Sequence, residues 1–152
     1  MSSLTQYIYI ASPIKLPQGS IGANPVSQEK PMIFKTELDA VHLLFENNYD
    51  ADQKKKISYS PHFSFEYGVA AYANQIPFKY HLKGTQAEEK CLKILYGYME
   101  GALQASGILE YFTSLTGKED LEISKKRNVQ WSNIKSPYDL VMEDREFLTI
   151  ML

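Results

Sequence analysis

Cysteine and arginine are almost missing from this chain of 152 residues. A single cysteine, Cys91, excludes an internal disulfide and any multi-cysteine metal centre. Two arginines, Arg127 and Arg145, stand against fourteen lysines. That leaves little capacity for the planar, bidentate recognition of phosphates or bases, and it fits a low-GC bacterial or phage coding sequence. Excess charge is missing too. The formal net charge of −2 implies no bulk attraction to nucleic acid or acidic membranes. No apolar run approaches the length of a membrane span, and the first residues lack the basic stretch and apolar run of a secretion signal. The expectation is a cytoplasmic protein that engages neither membrane nor nucleic acid. A phosphate-binding glycine loop, a nucleophile elbow, a spaced acid pair and internal repeats are all lacking.

What is present is ordinary globular composition, 44% hydrophobic and 22% charged, in a length that one domain accommodates. The strongest local signal is Thr85 to Ser106. Gln86, Glu89, Lys90, Lys93, Gly97, Glu100 and Gln104 recur at three- and four-residue steps and form one narrow polar stripe. Ala87, Cys91, Ile94, Leu95, Tyr98 and Ala102 fill a second side, flanked by Leu92, Tyr96, Met99 and Leu103. So wide an apolar arc belongs to a helix packed by more than one neighbour. Thr85 and Glu88 have capping-box spacing, and Gly107 stands where a left-handed C′ residue is expected. Cys91 lies on the apolar side, as a buried inert thiol would. Gly97, Gly101 and Ala105 make a small-residue row, against which a neighbouring strand is expected to pack.

Around this helix the pattern is mainly β. Thr5 to Ala11 alternates Tyr7 and Tyr9 with Ile8 and Ile10, as an interior strand would. Ser12 to Pro31 carries four prolines and two glycines with no period, and reads as a long loop that is functional or simply superficial. Met32 to Lys35 suggests a short strand, and Thr36 with Leu38, Val41, Leu44 and Phe45 a short amphipathic helix. Asp50 to Lys56 reads as a charged loop. Phe63 to Val69 and Ile76 to Lys83 both alternate; a turn at Asn74-Gln75 would make them a hairpin with Glu66 opposite Lys83. Ile108 to Leu115 fits a strand or a helical turn. Leu121 to Ile134 fits one or two strands, with Lys125-Lys126-Arg127 at a solvated hairpin tip. Ser136-Pro137 starts a short helix, and Phe147 to Leu152 is a terminal strand. The expected fold is a single α+β domain over 1–152. Its mostly antiparallel sheet packs against one long helix, about 85–106, with smaller helices at the periphery.

Candidate chemistry centres on Glu66. Tyr9-Ile10-Ala11-Ser12-Pro13 and Phe65-Glu66-Tyr67-Gly68-Val69-Ala70 resemble two motifs of the nucleoside 2-deoxyribosyltransferases, a strand ending in Tyr-x-Ala-Gly-Pro and a Glu-x-Gly-x-Ala helix start. The resemblance implies an α/β enzyme acting on nucleosides or nucleotides, with Glu66 attacking the sugar and Ser12 near the substrate. The hairpin reading instead makes Glu66 an exposed ion-pairing residue of small energetic value. His42, His62 and His81 have no partners at metal-ligand spacing. His62-Phe63-Ser64 matches half of a His-x-Ser/Thr phosphoesterase signature whose second copy is absent. No metal and no cofactor are expected.

Eleven tyrosines remain, several near loops: Tyr49, Tyr59, Tyr72 and Tyr138. Tyrosine suits protein interfaces because it joins a rigid apolar ring to a polar tip. The sequence therefore favours a small non-catalytic interaction protein, such as an immunity protein, an inhibitor or a phage-type accessory factor. Its expected contact residues are Tyr9, Ser12, Ser20, Asn24 and Tyr72. The expected partner is a protein, a second copy of this chain included; a nucleoside or nucleotide belongs to the alternative enzyme reading.

Overall fold

The computed structural model describes residues 5–73 and 75–152. The strands and helices in chain order are β1 (Gln6–Ser12), β2 (Gly19–Ile21), α1 (Glu37–Ala40), β3 (Leu43–Asn47), β4 (Tyr49–Asp50), β5 (Lys55–Lys56), β6 (Tyr67–Tyr72), α2 (Gln86–Ser106), β7 (Ile108–Leu115), β8 (Lys125–Gln130) and β9 (Glu146–Met151).

Helix α2 forms where its caps and periodicity direct it. The Thr85 hydroxyl accepts from the Glu88 amide at 3.1 Å while the Glu88 carboxylate accepts from the Thr85 amide at 2.9 Å, closing the capping box. Gly107 stops the helix at φ 80°, a conformation open to glycine at little cost. Cys91, Leu92, Leu95, Tyr98, Met99 and Leu103 are buried along one side. Each leucine there contributes about 1.5–3 kcal/mol relative to exposure.

The helix lies on a seven-stranded sheet of order β2-β3-β6-β1-β7-β9-β8, in which only the β8–β9 pair is parallel. A parallel neighbour requires a crossover. The segment from Trp131 to Arg145 supplies it, carrying Ile134, Leu140, Val141 and Met142 into the core beside α2. Alternation along the strands sorts the two faces. Ile8 and Ile10, Leu43 and Phe45, and Val69 and Ala71 point to the helix, where the Phe45 and Tyr98 rings stack at 3.9 Å. Tyr9, Ala70, Phe112 and Phe147 form a separate cluster on the opposite face, beneath Tyr7, Tyr59, Phe63 and Ile123.

The single α+β domain with one main helix, a mostly antiparallel sheet and small peripheral helices is thus the observed architecture. Several local expectations are corrected. The hairpin of Phe63–Val69 with Ile76–Lys83 does not form, and Asn74 of its supposed turn lies outside the described residues. Strand β6 pairs instead with β1 and β3. Pro77 has no amide to donate to a ladder, and Lys79–His81 turns as a 3-10 helix. Glu66 pairs with Lys56 rather than Lys83, whose amide donates to Glu88. The helix begun by Thr36 ends at Ala40, and Leu43 to Asn47 alternates as a strand. Met32 to Lys35 is not a strand.

The Ser12 to Pro31 segment contains strand β2 and is tied down, with the Tyr98 hydroxyl donating to the Pro17 carbonyl. Strands β4 and β5 make a two-residue ladder within the charged Asp50–Lys56 loop. Lys125-Lys126-Arg127 lies in edge strand β8, not at a hairpin tip. No strand packs on Gly97 or Gly101; a Cβ at either would meet open space.

Candidate functional site

The face of the sheet away from α2 is only partly covered. One ladder row crosses it through Glu46, Ala70, Tyr9, Phe112, Phe147 and Lys126. Side chains directly opposite in register share a face and touch, so this row is an aromatic band. Phe112 lies 6.3 Å from Tyr9 and 6.0 Å from Phe147, centroid to centroid. The Lys126 ammonium sits 5.6 Å over the Phe147 ring.

Two loops close the β7–β9 side of the band. Glu110 is buried and accepts from the Ser64 amide, the Ser64 hydroxyl and the Phe65 amide, at 2.9, 2.8 and 3.1 Å. It thereby holds the loop that presents Phe63. The Ser60 hydroxyl donates to the Glu119 carbonyl at 2.6 Å, and the His62 ring bonds the Leu121 carbonyl. The two loops therefore brace one another.

Towards β3 the covering stops. Ala70, the small member of the row, leaves a depression of about 360 Å³ lined by Tyr7, Tyr9, Leu44, Glu46, Tyr59, Tyr72, Thr116 and Glu119. Adjacent rings run Tyr72–Tyr7–Tyr9–Tyr59 with centroids 6.0, 6.2 and 5.5 Å apart. Three of the four have anchors. The Tyr9 hydroxyl donates to Glu119 Oε1 at 3.0 Å. The Tyr59 hydroxyl bonds the carbonyls of Glu46 and Asn47 at 2.9 and 2.7 Å. Tyr7 packs on both Tyr9 and Tyr72, while Tyr72 is half exposed.

The field in the cleft is negative. Burial, then the charge of Glu119 and its hydrogen bond, raise the Tyr9 phenol well above its ordinary range. Burial, with the Glu46 carboxylate and Tyr7 adding to it, pushes Tyr59 up to about 12. Both rings therefore stay neutral at physiological pH, with the Glu46 and Glu119 side chains beside them in the lining. Neither carboxylate has a cationic partner among the described residues.

Of the five expected contact residues, the structure gathers two. Tyr9 and Tyr72 share the cleft. Ser12 is fully buried, and its hydroxyl accepts from the Ile14 amide at 3.1 Å. Ser20 is exposed on β2 opposite Leu44. Asn24 is exposed in the following loop, its amide bonded to the Asp39 carbonyl. Glu46, Glu119 and Ala70 were not singled out by the sequence. The recoverable signal was the Tyr7-x-Tyr9 spacing, which sets two phenols side by side on one face of a strand.

Glu66 precedes β6 instead of opening a helix. Its side chain is 65% exposed and 3.6 Å from the Lys56 ammonium. Beside it lies a second cavity of about 380 Å³ lined by Lys15, Leu16, Asn47, Asn48, Tyr49, Lys56, Tyr67 and Gly68. Two of its polar groups are already engaged: Lys56 faces Glu66 and the Tyr67 ring, and the Asn48 amide bonds three backbone groups. Among the described residues no group of three or more histidine, cysteine or acidic side chains could hold a metal, and no helix is long and apolar enough to cross a membrane.

No protein-family model, curated protein or solved structure matches this chain.

Proposed function

We propose that this protein acts by binding another protein through the tyrosine cleft on the open face of its sheet. In this reading it is an interaction factor of the immunity-protein, inhibitor or phage-accessory kind and not an enzyme. The observation that carries the reading is a row of four tyrosine rings beside an exposed Leu44 over the small floor of Ala70. Tyr9 and Tyr59, held by hydrogen bonds before binding, lose little conformational entropy on contact.

The test is affinity capture after crosslinking, run in parallel with the wild type and Ala70→Leu, which fills the depression and removes no charge. Tyr72→Ala serves as a second variant at a half-exposed position where folding is least at risk. A partner retained by the wild type and lost from both variants supports the reading. Equal capture by all three proteins, or no specific partner, overturns it.

The nucleoside-processing alternative has one observation in its favour. Ser12 and Tyr67 are register partners, so the two motif segments adjoin beside the Lys15–Tyr67 cavity. It requires that Glu66→Gln abolish nucleoside turnover while the fold survives. A wild type that neither turns over nucleosides nor melts higher in their presence refutes it.

A further inference from the structure

Resting on that reading, we propose that the tyrosine cleft is a receptor for a cationic side chain, the guanidinium of arginine or the ammonium of lysine, carried by the partner protein.

Three observations converge on this ligand chemistry. Tyrosine rings have electron-rich faces, and neighbouring centroids stand 5.5–6.2 Å apart. A cation seated on the row is therefore within about 6 Å of two rings at once, the range in which cation–π attraction operates. Second, Glu46 and Glu119 rim the depression with no compensating positive charge in its lining. Glu119 Oε1 already accepts from Tyr9 and from the Gly117 amide. Its Oε2 has no donor among the described residues, and neither does the Glu46 carboxylate. Third, a volume of about 360 Å³ lies at the small end of ligand cavities and has room for one long side chain.

A partner chain is favoured over a free small cation because the depression continues. Leu44 and Tyr72 also line a neighbouring hollow of about 460 Å³ that reaches Glu37, His42 and Gln75. An extended peptide can thus drop one basic side chain among the tyrosines and run on across Leu44 towards a second carboxylate, Glu37. No lysine or arginine lines either hollow, so the path is complementary to a basic segment and repels an acidic one.

The test uses the capped pentapeptide Gly-Gly-Arg-Gly-Gly, its citrulline isostere and tetramethylammonium chloride, with tyrosine ring resonances followed by NMR. Citrulline keeps the length and planar shape of arginine and removes the charge, with a carbonyl in place of one amino group. The arginine peptide is expected to shift the rings of Tyr7, Tyr9, Tyr59 and Tyr72, with an affinity on the order of 1 mM. Citrulline is expected to leave them unmoved. Glu46→Gln and Glu119→Gln should each weaken binding by roughly two- to fivefold, as expected for partly exposed charge pairs, and added salt should weaken it further.

Equal shifts from the citrulline peptide overturn the proposal, as does the absence of ring shifts with arginine. Binding of tetramethylammonium without the peptide also overturns it, because the occupant is then a free small cation. The two readings fail separately. Capture lost in Ala70→Leu but indifferent to the two glutamate variants and to citrulline removes the cation and leaves the interaction surface. Capture unaffected by Ala70→Leu removes both.

Discussion

Replacing Asn48 by alanine should destabilise the protein by about 2–5 kcal/mol without altering the sheet. Asn48 is 6% exposed at the end of β3. Its side-chain amide donates to the carbonyls of Ile57 and Glu66, the latter at 2.7 Å, and its oxygen accepts from the Gly68 amide at 3.0 Å. One residue thereby joins the foot of the β4–β5 ladder to the entrance of β6. Alanine leaves three backbone groups without partners. The Gly68 amide is buried, so losing its acceptor costs about 1–3 kcal/mol, whereas the two carbonyls are partly exposed and lose about 0.5–1 kcal/mol each as water replaces the amide. For a chain of this length the sum lowers the melting midpoint by roughly 4–20 °C. Urea denaturation is the assay, with the slope against denaturant unchanged because the surface exposed on unfolding is the same. Asn48→Asp should be at least as damaging, since a carboxylate would face two carbonyls it cannot donate to. A loss below about 0.5 kcal/mol would refute the reasoning, because a buried donor without a partner is not that cheap.

Gly97→Ala and Gly101→Ala should each stabilise the protein by about 0.5–1 kcal/mol, since both are mid-helix and a Cβ meets open space; denaturant midpoints that fall would contradict this. Gly22→Ala should do the reverse, because Gly22 has φ 107° and its Cβ would press on the Ile94 side chain. Tyr98→Phe removes the bond to the Pro17 carbonyl and should cost about 1 kcal/mol, with faster hydrogen exchange in residues 14–22 as the specific sign. Burial pushes the Cys91 thiol up to about 11 from an ordinary value of 9.0. A folded-state value above the unfolded one means that the unfolded chain loses its proton first, so stability falls as pH rises from about 9 towards 11. Cys91→Ala should flatten that part of the pH–stability curve. An unchanged slope would show that the tyrosines alone produce it.

Helix α2 was legible in the sequence because everything that determines it is local: a capping box, a stop glycine and a stripe at helical spacing. Strands β1 and β9 were legible for a related reason, being apolar runs bounded by polar or proline-bearing turns, whereas Ile108 to Leu115 fitted a helical turn as well and becomes strand β7. The failures share a different cause. Alternation from Phe63 to Val69 is real, yet it says nothing about which strand will pair with it. Phe63 leaves the ladder to pack edge-on against Phe112, 6.2 Å away, and β6 takes partners from residues 7–12 and 46–47. Gly97 and Gly101 misled in the same way. Small residues in a helix announce close approach only when a neighbour exists, and here the exposed side of α2 has none. The cleft was half legible. Tyr9 and Tyr72 were in view as tyrosines, but Glu46 and Glu119 are 73 positions apart in sequence and meet only through the fold.

The two faces of the sheet are covered unequally. Towards α2, apolar side chains from six strands and the 131–145 crossover are sealed under a helix whose exposed positions are polar or small. Substitution within that packed layer reads out as stability. The other face gains its cover from loops that bond to one another and to Glu110, and those loops stop at Tyr59 and Thr116. Closing the remaining gap would have required one large apolar residue in place of Ala70. Alanine there keeps the rings of Tyr7 and Tyr72 accessible, an arrangement that core packing alone does not call for, since a Leu or Ile at that position would bury about 1 kcal/mol or more of additional apolar surface. If Ala70→Leu proves more stable than the wild type and loses its partner, the depression is maintained for binding at the expense of stability. If it proves less stable, the rings could not tolerate the added volume, and alanine at this position is explained by packing alone.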